Sequence, residues 1–195
     1  ARLDGALGTV EVGTGREASA ETIRERRAVR IDGEAAKGQA ALGAVASAVW
    51  LTPRLDRLFS DGGGARRRFL DRLVFASDPA HAGRVSAYDH ALRERARLLR
   101  GGGADASWLS ALEETMAEKG VAVTAARNDM AIRLDAISAT AAGPFPGARA
   151  RLVGAVETWL AEMPALAVED RLRETLAASR ASDAESGGAA VGPQR

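Results

Sequence analysis

The chain has no cysteine, which removes disulfide frameworks, thiolate zinc sites and thiol catalysis together. Aromatics are scarce, at 4% of 195 residues, too few for the base-stacking sheets of RRM or OB-type modules. No apolar run approaches the roughly 18 residues that a membrane-spanning helix requires. Neither charge sign dominates. With 27 basic and 26 acidic side chains the net charge is +1, which argues against a uniformly basic wrapper of nucleic acid but leaves room for a local basic face. Lysine is nearly missing: only Lys37 and Lys119 occur, so 25 of the cations are arginines. Arginine offers a planar fork for phosphate or carboxylate, although a genome favouring Arg and Ala codons gives the same skew. Apolar residues at 46% and charged residues at 27% exclude a disordered chain and fit one ordinary domain or two small ones. The chain opens at Ala1 with neither an initiator Met nor a signal-peptide core, and closes on the turn-like Gly192-Pro193-Gln194-Arg195. That pattern is expected of a fragment.

The first third reads as β. Thr9-Val10-Glu11-Val12 and Arg27-Ala28-Val29-Arg30-Ile31 alternate apolar and polar residues, as strands with one covered face do. The polar stretch from Thr14 to Glu25 fits a long turn or a frayed strand. The more apolar run from Ala44 to Leu51 fits a buried strand ended by Thr52-Pro53, since proline supplies no ladder donor. The period then becomes helical. A short turn covers Arg54 to Phe59, Asp61-Gly62-Gly63-Gly64 breaks it, and Arg66 to Phe75 presents Phe69, Leu70, Leu73 and Val74 on one face. Asp78-Pro79 predicts a helix start, with Val85, Tyr88, Leu92 and Leu99 striping a helix that ends at Gly101-Gly102-Gly103. Asp105 or Ser107 can cap the next. Within Trp108–Ala141, the residues Leu109, Met116, Val123, Met130 and Ile137 recur every seven, with Leu112, Ala126 and Leu134 in a second seam. Such a repeat favours a helix pair with its predecessor, imperfect at Lys119 and Gly120. Beyond Gly143-Pro144-Phe145-Pro146-Gly147, the residues Ala150 to Val156 suit either a returning strand or a helix start. Val168 to Ala184 predicts a helix with Leu172, Leu176 and Ala177 inward, and Gly187 to Gly192 a short strand.

Most chemistries lack their residues. There is no G-x-x-x-x-G-K-[ST] phosphate cradle; Ala36-Lys37-Gly38 has the wrong neighbours, and the two triple-glycine runs have no adjacent Lys-Ser or Lys-Thr. His81 and His90, beside Asp78 and Asp89, read as surface histidines rather than metal ligands. Ser86 and Ser107 lack a nucleophile-elbow setting, and Glu113-Glu114 read as a solvated acidic face. No catalytic or metal residue is assigned. The dense cations are Arg66, Arg67, Arg68 and Arg72 at a helix N-terminus, which could bind DNA phosphates or a partner's carboxylates. Equally, Arg67 and Arg68 could pair with Asp61 or Asp71 and brace the fold. Arg93, Arg97 and Arg100 share a helix face and read either as a phosphate-tracking stripe or as a solvated surface.

These residues also resemble a known family. Trp50-Leu51-Thr52-Pro53, Leu58-Phe59 and the block Arg66-Arg67-Arg68-Phe69-Leu70-Asp71-Arg72 occur in order. Arg30-Ile31-Asp32-Gly33 lies before them, and Asp78-Pro79, Tyr88, Arg180, Asp183, Gly187 and Gly192-Pro193-Gln194-Arg195 after. Together they resemble the RecF family of bacterial DNA-repair ATPases, with Gln194 where His is usual. The resemblance implies an α+β fold: part of an ABC-type ATPase head with a mixed sheet, interrupted by an antiparallel, coiled-coil-like helical arm. It places a partial head lobe at 1–75, the arm at 76–149 and an incomplete return into the head at 150–195. ATP and Mg²⁺ would then be held by Walker A, signature and Walker B segments outside this chain, so that it hydrolyses nothing alone. The intact protein would be a cytoplasmic, nucleoid-associated, ATP-dependent homodimer serving recombinational repair and the SOS response. It would grip double-stranded and gapped DNA and load recombinase with RecO- and RecR-type mediators. The heptads by themselves equally suit a non-catalytic helical module that docks a protein partner.

Overall fold

A computed structural model describes residues 1–5, 8–17, 26–36, 39–48, 52–102, 105–140 and 142–194. Four strands form an antiparallel meander in the order β1 (Arg2–Gly5), β2 (Gly8–Glu17), β3 (Arg26–Ile31) and β4 (Glu34–Ala35). Val12 faces Ile31 and Thr14 faces Val29 across the β2–β3 ladder, so the alternation read in both segments places their β-branched residues on one side. Asp32 (φ 52°) and Gly33 (φ 83°) make the β3–β4 turn, whose two positive φ values match the strand twist. Strand β2 runs through Thr14 to Glu17, as the frayed-strand alternative expects; residues 18–25 lie outside those described, as do Lys37, Gly38, Trp50, Leu51, Gly103 and Arg195.

The strand expected at Ala44–Leu51 is absent from its described part. Gln39–Ala44 forms a 3-10 turn and 46–48 is irregular. Its small residues let the backbone lie close to a helix: a Cβ on Gly43 would sit 2.8 Å from the Phe75 ring. A second 3-10 turn, Pro53–Arg57, leads to six helices: α1 (Gly63–Ser77), α2 (His81–Gly101), α3 (Ala106–Ser138), α4 (Ala155–Glu162), α5 (Ala165–Ala178) and α6 (Arg180–Ser186). Asp105 caps α3 through the Ser107 N–H at 2.8 Å. Asp78 acts three residues ahead of the first residue of α2, accepting from the Ala80 N–H at 3.1 Å. The segment 150–154 is irregular and then becomes α4, which resolves the strand-or-helix ambiguity in favour of helix.

Helices α2 and α3 fold back on each other across the glycine turn. Their apolar stripes meet α4, α5 and the segment after α6 in one core of Tyr88, Ala91, Met116, Ala117, Val121, Val156, Val168, Leu172, Leu176 and Ala189. The heptad stripe is buried at Leu109, Met116 and Val123 but leaves the protein's cover at Ile137, which is 80% exposed. Gly120, read as an interruption, is a crossing point: a Cβ there would lie 3.1 Å from the Tyr88 ring and 3.4 Å from Pro193. The helix expected over Val168–Ala184 breaks at Ser179, whose hydroxyl donates to the Leu176 carbonyl and to Asp183 Oδ2, and Ala177 is exposed. Residues 187–192 form bends, not a strand, because their polar groups are engaged singly. The Ala190 N–H donates to Asp183 Oδ1 at 2.9 Å, and Gly192 (φ +146°) lies against the Tyr88 hydroxyl.

Two glycine substitutions separate these constraints. Gly192→Ala forces a Cβ onto Tyr88 and costs about 1–3 kcal/mol in urea unfolding. Gly83→Ala, on the exposed side of α2 with nothing near its Cβ position, stabilises by about 0.5–1 kcal/mol.

Candidate nucleic-acid interface

Consecutive residues on a helix diverge by about 100°, so the Arg66–Arg72 cluster cannot act as one patch. Arg66 and Arg67 turn toward a cavity of about 360 Å³ that also takes in Arg127, Arg151, Glu157 and Pro193. Arg68 and Arg72, one helical turn apart, line a cleft of about 580 Å³ on another side of α1. Packing of α2 against α1 adds Arg93 to this cleft, together with Asp71, His81 and Asp89. Arg97 and Arg100 continue the exposed face of α2 beyond it. Arg97 pairs with Glu94 at 3.0 Å and Arg100 donates to the Ala96 carbonyl at 3.2 Å. Arg67 and Arg68 do not brace the fold through Asp61 or Asp71. Arg66 Nη1 bonds the Asp61 carbonyl at 2.8 Å, and Asp71 is engaged from elsewhere.

Its partner is Arg127 on α3, only 3% exposed. Nε and Nη2 of Arg127 reach the two oxygens of Asp71 at 2.7 and 2.8 Å, while Nη1 donates to the Pro193 carbonyl at 2.7 Å. His81 Nε2 lies 2.8 Å from Asp71 Oδ1. Burial pushes the Asp71 carboxyl up, yet the bonds from His81 and Arg127 outweigh it and hold the group below its ordinary range. One guanidinium thus joins the arginine block of α1 to the Gly-Pro-Gln stretch about 120 residues later. Gln194 Nε2 then donates to Asp89 Oδ1 at 2.8 Å, fastening the same stretch to α2. Glutamine supplies this donor but, unlike histidine, cannot carry a titrating proton. Arg195 lies outside the described residues.

A second hub was not read from the sequence. Arg95, 1% exposed, donates to Glu113 Oε1 at 2.9 Å, Asp183 Oδ2 at 2.8 Å and the Leu176 carbonyl at 2.6 Å. Arg180 closes on the far side of Glu113 at 2.5 Å. Two surface assignments are therefore corrected. His81 is fully buried against Asp71, and Glu113 is buried between two arginines while Glu114 stays exposed. A usable signal existed. Glu113 stands four after Leu109 and three before Met116, and Arg127 has the same relation to Val123 and Met130. These charges therefore sit on the apolar stripe and must find partners inside.

No protein-family model matches the chain. Curated relatives do, along all of it. The DNA replication and repair protein RecF of Mesorhizobium japonicum is 43% identical over 199 residues, and that of Rhizobium etli 42% over 197. The chain is RecF-like from end to end. It spans about half the length of these relatives, 52% in both cases. The fold agrees. A structure described as the recombination mediator protein RecF-ATPrS in the RecFOR pathway superposes with a TM-score of 0.82 at 18% identity, covering all of this chain and 52% of that one. A RecF-ATP structure gives 0.72 at 17% identity, over 96% of this chain and 50% of the other. The α+β architecture, among the described residues a small antiparallel sheet with six helices, is thus that of the matching half of RecF.

The RecF-like chain's own residues do not make a Walker-type nucleotide site. The glycines that open α1 are followed by arginines, with no Lys-Ser or Lys-Thr. Among the described residues, no three His, Asp or Glu side chains converge in a way that could hold a metal ion. None of these side chains is therefore assigned a step of ATP or Mg²⁺ chemistry.

The two hubs predict large, separable effects. Arg127→Met leaves Asp71 only His81, and Arg95→Met leaves Glu113 only Arg180 and Asp183 without a cation; each costs about 3–5 kcal/mol in denaturant unfolding. Because the folded Asp71 pKa is depressed, its contribution is complete above the unfolded value near ~4 and is lost as pH falls through the folded value. Asp71→Asn accordingly flattens the acid limb of a stability–pH curve below about pH 4.

Proposed function

We propose that this chain is an interior part of a RecF-like DNA-binding ATPase that acts in repair of gapped DNA. The observation that carries this reading is the match to RecF proteins over all 195 residues at 42–43% identity. In the proposal the divisions at 1–75, 76–149 and 150–195 are head lobe, helical arm and return. Flanking segments of the intact protein hold ATP and Mg²⁺ and close an ATP-dependent homodimer. Head closure shifts the population of arm positions and so grips duplex DNA near its single-strand junctions. RecO- and RecR-type mediators and recombinase loading, a cytoplasmic and nucleoid-associated setting and SOS involvement belong to the same proposal. No helix among the described residues is long and apolar enough to cross a membrane.

DNA phosphates are met, in this reading, by the cleft of Arg68, Arg72 and Arg93 and by its continuation along Arg97 and Arg100. Arg68 and Arg93 are exposed and enter no ion pair among the described residues, so their charge is available to a backbone. Arg66 and Arg67 face the other cavity. A second reading, a helical module that docks a protein, is favoured by the exposed apolar side chains of α3: Trp108 at 56%, Ile132 at 60% and Ile137 at 80%.

The two readings part in one titration of the intact protein with duplex DNA over a salt series. In the DNA reading, Arg68→Ala with Arg93→Ala weakens binding and makes the slope of log K against log salt shallower by about 0.9 for each phosphate no longer neutralised. An unchanged affinity and slope in the double variant, with protein capture abolished in Trp108→Ala, would support the docking module instead.

A further inference from the structure

The cavity on the Arg66–Arg67 side of α1 has an unbalanced charge that the fold itself does not explain. Four guanidinium groups line it, from Arg66, Arg67, Arg127 and Arg151, against one carboxylate, Glu157. Arg127 is spent on Asp71 and Pro193. Glu157 and Arg151 enter no ion pair among the described residues. The Arg67 Nε is sealed from solvent and has no hydrogen-bond partner among the described residues. Its guanidinium is disfavoured first by burial and then by the positive Arg127 and Arg66 beside it. The first turn of α1 ends on Arg66, with Arg67 and Arg68 directly after it, and has no acidic residue and no side-chain cap. Cations are unfavourable at that end of a helix dipole. Sequences that violate local rules in this way do so at sites where a ligand restores the balance. Leu70, Leu152, Val153 and Pro193 form the apolar part of the wall and lower the local dielectric, which strengthens attraction to an anion.

We propose that this cavity binds a phosphoryl group through Arg66, Arg67 and Arg151. The planar forks of arginine suit a tetrahedral oxyanion. The site stands on the cavity alone, apart from the DNA cleft of Arg68 and Arg93, so either can fail without the other.

The test is thermal melting of the intact protein in inorganic phosphate against chloride at equal ionic strength. Phosphate at ten times its dissociation constant raises the wild-type Tm by roughly 2 °C above chloride. Arg67→Gln abolishes the difference, and so does Arg151→Gln, an exposed position whose substitution leaves folding intact. Arg68→Ala with Arg93→Ala retains it. Two competitor arms identify the natural source: loss of the phosphate-specific rise in a short duplex assigns a backbone diester, and loss in ATP assigns a nucleotide. Equal melting in phosphate and chloride, or an undiminished rise in Arg151→Gln, overturns the site.

Discussion

A single buried guanidinium decides how the parts of this chain meet. Arg127 is removed from water on the inner stripe of α3, where an unpaired charge costs several kcal/mol. Its fork must therefore be filled, and it is filled by both oxygens of Asp71 on α1 and the carbonyl of Pro193 near the end of the described chain. The direction of the fork fixes α1 against α3, and the third donor fixes where the last segment passes. Buried ion pairs add little net stability over a well-packed apolar substitute. What this one specifies is register, because a shift of either helix by one residue leaves a charge stranded.

Arg95 repeats the device at the other end of the hairpin, with Glu113, Asp183 and the Leu176 carbonyl. Between the two hubs lies a purely steric contact, Tyr88 packed on Gly120 and Gly192, with Pro193 close by. Polar and apolar constraints thus alternate along the α2–α3 pair, and each reaches the segment after α5. The arrangement also accounts for the distribution of arginines on the outside. Asp71 is engaged by Arg127 and His81, so it does not pair with Arg68, which stays exposed on the neighbouring turn.

Much of the helical half was legible because its rules are local. The seven-residue recurrence gave α3, Asp105 gave its cap, and the glycine turn gave an antiparallel neighbour. The sheet was legible where alternation was clean, at Val10–Val12 and Val29–Ile31. It failed where small residues made strand and loop look alike, at Ala44 and again after Gly187, and there the backbone follows tertiary partners that no pattern announces. The site was half legible. Arginine density marked α1, but its division between two cavities follows from the 100° step and from what packs on each side. Treating Glu113 and His81 as surface residues overlooked their place on apolar stripes, where a polar side chain reports a buried partner elsewhere in the chain.

The hubs close over long stretches of sequence: 56 residues separate Arg127 from Asp71, 88 separate Arg95 from Asp183, and 105 separate Gln194 from Asp89. A nascent chain emerging from the ribosome can form the hairpin early, since its contacts are local. Arg127–Asp71 and Arg95–Glu113 need no later residue, whereas the bonds of Arg95 to Leu176 and Asp183 and of Arg127 to Pro193 wait for the last twenty residues of this stretch. During synthesis the hairpin is therefore a half-finished interior, with open apolar stripes and with one donor of Arg127 and two of Arg95 still unfilled. Those bonds close when the final segment docks, and until then the open stripes carry the aggregation risk of any incomplete fold.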